Sequence, residues 1–218
     1  MSDLSLREEI IATANAMNAT GLSPGKSGNV SARNAAGNVL ITPTGVAYAA
    51  LKPGDIVTLD GQGNVLAGGL QPSSEWHFHV AAYNARPEIG AIVHAHSLYA
   101  TALACARREI PAFHYMVAAA GGDSIRCAPY ATFGTRELAV FAVEALAGRM
   151  ACLLANHGLI ALGASPSKAL AMAEEVESLA AQYVAALQIG QPVLLDAGEM
   201  RKVLEKFKTY GQPGKTEL

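Results

Sequence analysis

Ala-Cys-Leu-Leu-Ala-Asn-His-Gly-Leu-Ile-Ala-Leu, residues 151–162, decides the fold. It reads as two apolar strands broken only by Asn156-His157-Gly158. A parallel pair needs a crossover of about a dozen residues or more, so strands this close in sequence must turn back on each other. The chain therefore builds at least part of its sheet antiparallel.

The same tight linkage recurs toward the N-terminus. Asp55–Leu59 and Asn64–Leu66 flank Asp60-Gly61-Gln62-Gly63, the composition of a β-hairpin. Asn38–Thr42 reads as a strand after a Gly37 turn, and Ala91–His96 as a short buried strand bounded by Gly90. Ile125–Ala128 is a further strand candidate. Helical patterns fall between these clusters. Leu6, Ile10, Ile11, Ala14 and Met17 share one helical face that stops at Gly21. Ser73–Arg86 carries a serine start and Pro87 just past its end. Ser97–Ala106, Arg136–Ala147, Pro166–Leu187 and about Glu199–Lys208 complete the set. The expectation is an α/β (α+β-like) chain of three layers, α/β/α, around a mixed, largely antiparallel sheet. No repeat or long linker divides it, so residues 1–218 are read as one domain.

Composition narrows the function classes. Sixteen basic against 18 acidic residues give a formal charge of −2, which offers nucleic acid no general attraction. Mean hydropathy is +0.23, but no run of about 18 apolar residues is present, and the start MSDLSLREEI does not read as a signal peptide. The three cysteines, Cys105, Cys127 and Cys152, are odd in number and widely spaced, without a CxxC pair. A reduced, cytoplasmic chain follows as the expectation.

Chemistry concentrates on histidine. In a strand, residues two apart point to the same face, so His94 and His96 can meet one ion. The pair fits either a metal site or two hydrogen-bonded histidines at a strand end. A second such motif, His77-Phe78-His79, falls in the predicted helix, where residues two apart diverge by about 200°; a surface or packing role is expected for both. His157, at a glycine-bounded break, would complete a three-histidine set. Gly25-Lys26-Ser27-Gly28-Asn29-Val30-Ser31 is a glycine-rich loop without the P-loop spacing. Pro43-Thr44-Gly45 and Pro72-Ser73-Ser74-Glu75 add hydroxyl and N–H groups, the latter at a helix start that favours anions. Singly each fits ordinary turn and cap chemistry; together they outline a phosphate cradle. Glu75, placed in the first helical turn, is either a dipole-stabilising acid or a general base beside a metal.

Gly28-Asn29-Val30-Ser31, Ile41-Thr42-Pro43-Thr44-Gly45, Pro72-Ser73-Ser74-Glu75, His94-Ala95-His96 and Asn156-His157-Gly158, in this order, resemble the class II aldolase/adducin family. The likeness runs from about residue 5 to residue 211. Ile110–Met116, Ala128–Leu138 and Glu205–Gly211 draw it toward the L-fuculose-1-phosphate aldolase branch. The resemblance implies one Zn²⁺ per subunit on His94, His96 and His157, with Glu75 as a ligand until substrate oxygens displace it for proton transfer. It implies a phosphate held by Gly28, Asn29, Thr44, Gly45, Ser73 and Ser74, and substrate positioned by Phe133 and Tyr210. Tyr115 would reach over from a neighbouring subunit as proton donor, in a homotetramer with sites between subunits.

The implied reaction is reversible cleavage of a ketose 1-phosphate (L-fuculose 1-phosphate, or a deoxypentulose or methylthio-sugar phosphate) to dihydroxyacetone phosphate and an aldehyde. The family also holds L-ribulose-5-phosphate 4-epimerases, a branch that keeps a catalytic acid near the position of Asp123, and a methylthioribulose-1-phosphate dehydratase. A non-catalytic, adducin-like assembly module is the contrasting class; the presence of all three histidines, Glu75 and Tyr115 argues against it.

Overall fold

Eight strands form one sheet in the order β4-β3-β2-β1-β5-β8-β7-β6. They are β1 (Asn29–Arg33), β2 (Val39–Ile41), β3 (Val57–Leu59), β4 (Val65–Ala67), β5 (Ala91–Ala95), β6 (Cys127–Ala128), β7 (Ala151–Leu154) and β8 (Gly158–Gly163). The structure, a computed structural model, describes residues 2–209. Every pairing is antiparallel except β6 with β7. That parallel pair is also the one joined by a crossover helix, α4 (Arg136–Ala145), as chain geometry requires. The expectation of a mixed, largely antiparallel sheet therefore holds.

Both faces of the sheet are covered. Ala91, Val93 and Ala95 of β5, with Leu159 and Ala161 of β8, pack toward α1 (Asp3–Ala19), α3 (Leu98–Cys105), α5 (Pro166–Ile189) and α6 (Ala197–Phe207). Ile92, Ile160 and Leu162 face the other way, toward α2 (Trp76–Ala85) and α4. Alternation along each strand feeds two apolar cores, one per face, which makes three layers.

Two elements differ from their reading in sequence. Asn29–Arg33 is a central strand, not the end of a glycine-rich loop. Its inner residues Val30 and Ala32 join one core, while Asn29, Ser31 and Arg33 turn polar groups toward α2. Buried polar residues on one face erased the apolar alternation by which a strand is recognised. Glu75 lies at the N-cap of α2 with φ −100°, one position ahead of the helix instead of inside its first turn.

The chain leaving β5 is pinned from below. Glu177 of α5 accepts from Ser97 Oγ at 2.6 Å and from the backbone N–H groups of Tyr99 and Ala100 at 2.8 and 2.9 Å. This carboxylate satisfies the free donors at the start of α3 and fixes the backbone immediately after His96.

Candidate metal centre and substrate cavity

Three histidines and one carboxylate converge at the edge where β5 ends and β8 begins. Ligand-capable atoms of Glu75, His94, His96 and His157 all lie within 4.8 Å of one another. His94 Nε2 is 3.1 Å from Glu75 Oε2, His157 Nε2 is 3.1 Å from Glu75 Oε1, and the Nε2 atoms of His94 and His96 approach to 2.9 Å. The three rings are 4.8–4.9 Å apart between centroids and steeply inclined to one another.

Local structure explains the convergence. His94 occupies the face of β5 that meets Phe78 of α2, edge-on at 5.3 Å. Its Nδ1 donates to the Leu159 carbonyl at 2.8 Å across the β5–β8 ladder, so Nε2 is the atom turned toward Glu75. The turn that delivers His157 runs through Asn156 at φ +55°, a left-handed conformation that asparagine tolerates better than most residues. Gly158 follows because no side chain fits there: a Cβ would lie 2.4 Å from the Ala95 carbonyl oxygen and 2.8 Å from His96 Cδ2.

Electrostatics match the geometry. Burial pushes the Glu75 carboxyl up, but the positive charge on His94 and close contacts from His157 and His94 outweigh it and hold the group well below the usual carboxylate range. Burial works against charge on His94, yet the Glu75 carboxylate and the Leu159 carbonyl raise it above an ordinary histidine. His96 is pushed down to about 4 by burial, with the charges of His94 and His157 adding to it. Glu75 Oε1 has no hydrogen-bond partner. Imidazole nitrogens crowded face to face, beside a buried carboxylate oxygen without a hydrogen bond, are a donor set that a divalent cation satisfies. Among the described residues this is the one group with the makings of a metal site.

The cluster floors a cavity of about 310 Å³, a size suited to a small phosphorylated sugar. Gly28, Asn29, Thr44, Gly45, Ser73, Ser74, Glu75, His96, His157 and Phe133 all line it, so segments far apart in sequence meet there. Gly134, at φ +73°, brings the chain after Phe133 against the Ser74 carbonyl. Tyr115 is half-exposed at the start of a 3₁₀ turn and is not among the cavity residues, so the structure does not bring it to the cluster within one chain. Tyr210 lies outside the described residues.

Six lining residues had no site role assigned from the sequence: Lys26, Ser27, Pro43, Tyr130, Ala131 and Asn156. Lys26 is the one lysine or arginine among the cavity's lining residues. Its glycine-flanked position was the available signal. His79 was assigned a packing role, and it is indeed buried and outside the four-ligand group, but both of its nitrogens are hydrogen-bonded. His77 stacks on Trp76 with centroids 3.8 Å apart.

Fold and site together define a class of protein, and comparison with known proteins agrees. Residues 8–184 match the family described as Class II Aldolase and Adducin N-terminal domain, and the chain belongs to that family. It is 53% identical over 207 residues to L-fuculose phosphate aldolase of Escherichia coli (strain K12), covering 94% of this chain and 95% of that protein. It is 51% identical over 210 residues to a 5-methylthioribulose-1-phosphate/5-deoxyribulose-1-phosphate aldolase of Rhodospirillum rubrum, covering 96% and 94% respectively. A solved structure of L-fuculose 1-phosphate aldolase superimposes with a TM-score of 0.90 at 44% identity, over 94% of this chain and 96% of that one.

Proposed function

We propose that this protein is a zinc-dependent aldolase that reversibly cleaves a ketose 1-phosphate to dihydroxyacetone phosphate and an aldehyde. The observation that carries this reading is Glu75 set among His94, His96 and His157 on the floor of a cavity rimmed by glycines and hydroxyls. The donor set of three imidazoles and one carboxylate suits zinc. A divalent ion held there supplies Lewis-acid polarisation of a bound carbonyl and offsets negative charge growing on its oxygen.

The chain's own groups do the rest. Thr44, Gly45, Ser73, Ser74, Gly28 and Asn29 hold the phosphate, with Lys26 adding a full positive charge at the rim. Phe133 and Tyr210 position the sugar carbons. In the condensation direction Tyr115 of a neighbouring subunit gives its phenol proton to the aldehyde oxygen as the C3–C4 bond forms. Cleavage is the reverse: the phenol first releases its proton to solvent, and the phenolate takes the C4 hydroxyl proton as the C3–C4 bond breaks. The aldehyde leaves and the bonding electron pair remains on the C3 side. Glu75, having taken up a proton from solvent with substrate bound, delivers it to C3 to give dihydroxyacetone phosphate and returns to the carboxylate.

Tyr115, exposed and outside the cavity of its own chain, would act there only from a second copy, which agrees with the homotetramer the resemblance implies. One domain spanning the chain, working in the cytoplasm, completes the proposal; among the described residues no helix is long and apolar enough to cross a membrane. Relatives named for fuculose, methylthioribulose and 5-deoxyribulose phosphates point to a short or deoxy aldehyde as the second product. The 4-epimerase alternative is weaker, because Asp123 is tied to Arg149 Nη2 at 2.6 Å. Incubation with L-fuculose 1-phosphate and, separately, L-ribulose 5-phosphate tests the assignment. Dihydroxyacetone phosphate from the first supports it. A 4-epimer from the second, without cleavage of the first, would overturn it.

A further inference from the structure

Strand β1 and helix α2 are stitched together by a polar ladder that ends on Glu75. Asn29, Ser31 and Arg33 alternate along β1 and so share one face; Glu75, His79 and Tyr83 are spaced four apart and share one face of α2. The two rows interlock. Arg33 closes the far end on the carbonyls of Tyr83, Arg86, Pro87 and Ile89, at 2.6–3.2 Å. Ser31 Oγ sits 3.0 Å from the Tyr83 hydroxyl and 2.7 Å from His79 Nδ1. His79 Nε2 meets Asn29 Oδ1, and Asn29 Nδ2 donates to Glu75 Oε2 at 3.0 Å. Asn29, Ser31, His79 and Glu75 are all buried.

The carboxylate dictates the direction of every bond in this row. Glu75 can only accept, so the NH₂ end of Asn29 must face it and the amide oxygen must face His79. His79 must then carry its proton on Nε2. Burial pushes this imidazole down to about 3, so it is neutral and Nδ1 accepts from Ser31. Ser31, having spent its proton, accepts from Tyr83. A flipped amide would set two acceptors against each other where no water can intervene, so a single arrangement satisfies the whole row. Asn29 also provides Glu75 with its one hydrogen bond from outside the histidine cluster.

The geometry points to His79 as a positioning residue for the reaction: its Nε2–H locks the Asn29 amide so that Asn29 holds the Glu75 carboxylate in place for proton transfer. This rests on the aldolase reading for its consequence in turnover, though not for the hydrogen-bond order itself. Misplacement of a reacting group by about 1 Å can cost about 10²-fold in rate. His79→Leu therefore lowers kcat about 10²-fold, well beyond any rise in KM through Asn29, with bound zinc near native. His79→Gln, whose amide can still donate toward Asn29, recovers most of the loss. Ser31→Ala, one bond further out, gives a smaller fall.

Two measurements decide it. The first is exchange of a dihydroxyacetone phosphate C–H proton with deuterated water, which needs Glu75 but no aldehyde. Slow exchange in His79→Leu with rescue in His79→Gln is the expected result; equal rates in His79→Leu and the native protein would overturn the proposal. The second is imidazole ¹⁵N NMR of the chelated native protein, where the Nε2–H tautomer of His79 is expected and an Nδ1–H tautomer contradicts the ladder. This second readout stands if His79→Leu fails to fold. A native protein that releases no dihydroxyacetone phosphate but shows the Nε2–H tautomer would count against the aldolase reading alone.

Discussion

The chain carries the pattern His-X-His twice, and the two copies reach different ends. On β5, His94 and His96 turn to the same side and their Nε2 atoms approach to 2.9 Å. On α2, His77 stacks on Trp76 near the surface while His79 is buried against β1. A two-residue repeat matches the period of a strand and opposes that of a helix. What the comparison teaches is that spacing becomes chemistry only through the backbone that carries it. The helical copy also has a partner: the histidine turned inward hydrogen-bonds Asn29, which donates to the carboxylate that the strand pair faces.

The largest effect should come from breaking the strand pair. His94→Ala takes away one of the three imidazoles proposed to hold the zinc, 3.1 Å from the buried Glu75 carboxylate. Loss of bound zinc and a fall of about 10⁴-fold in kcat are expected, since metal polarisation is worth several kcal/mol. Metal analysis beside steady-state kinetics checks this. His77→Ala, the formal counterpart on the helix, should change kcat and zinc content less than about twofold, because a half-exposed ring away from the cluster contributes little. Equal damage from the two substitutions would erase the distinction.

Glu75→Gln comes next. It keeps the shape and the three imidazoles but cannot exchange the proton, and removal of a general acid–base typically costs about 10²–10⁴-fold. Zinc should still bind. Turnover surviving this change would remove Glu75 from the proton-transfer role.

The helical copy has its own signature in pH. Burial holds His79 at about 3 against an ordinary value of 6.5. As pH drops through that interval the unfolded chain takes up a proton that the folded chain refuses. Stability is therefore full above about pH 6.5 and falls below it, by about 1.4 kcal/mol per pH unit for this group. Urea unfolding of chelated protein from about pH 7 to about pH 5 measures the slope. His79→Gln should flatten it by about that amount; an unchanged slope would mean His79 takes its proton in the folded protein.

A modest effect is expected at the rim. Lys26→Met should raise KM for a phosphorylated substrate about fivefold with little change in kcat, as an exposed ion pair contributes up to about 1 kcal/mol. Competition by inorganic phosphate should weaken in parallel. If both stay at native values, Lys26 does not meet the phosphate.

Much of this was legible in the residues. Ala151–Leu162 announced an antiparallel pair because three residues cannot hold a crossover, and Gly21 and Pro87 set the ends of α1 and α2 within a few positions. Strand period put His94 and His96 on one side, and local glycines and hydroxyls outlined His157 and the cradle segments; the family likeness was needed to join them with Glu75 into one site. The hidden parts share one physical cause. Strand β1 and His79 are buried polar groups whose partners lie about fifty residues away in sequence, and no local pattern distinguishes a satisfied buried polar residue from a loop or surface one. Lys26 was hidden for a simpler reason: where a glycine-rich loop points its side chains depends on the fold around it.

The most direct test of the central claim is to strip the protein with a chelator, add zinc back in measured steps, and follow dihydroxyacetone phosphate released from a ketose 1-phosphate. Activity should vanish on chelation and climb linearly to a plateau at one zinc per chain. Release that persists in the stripped protein, or that fails to return at full zinc occupancy, would contradict the account.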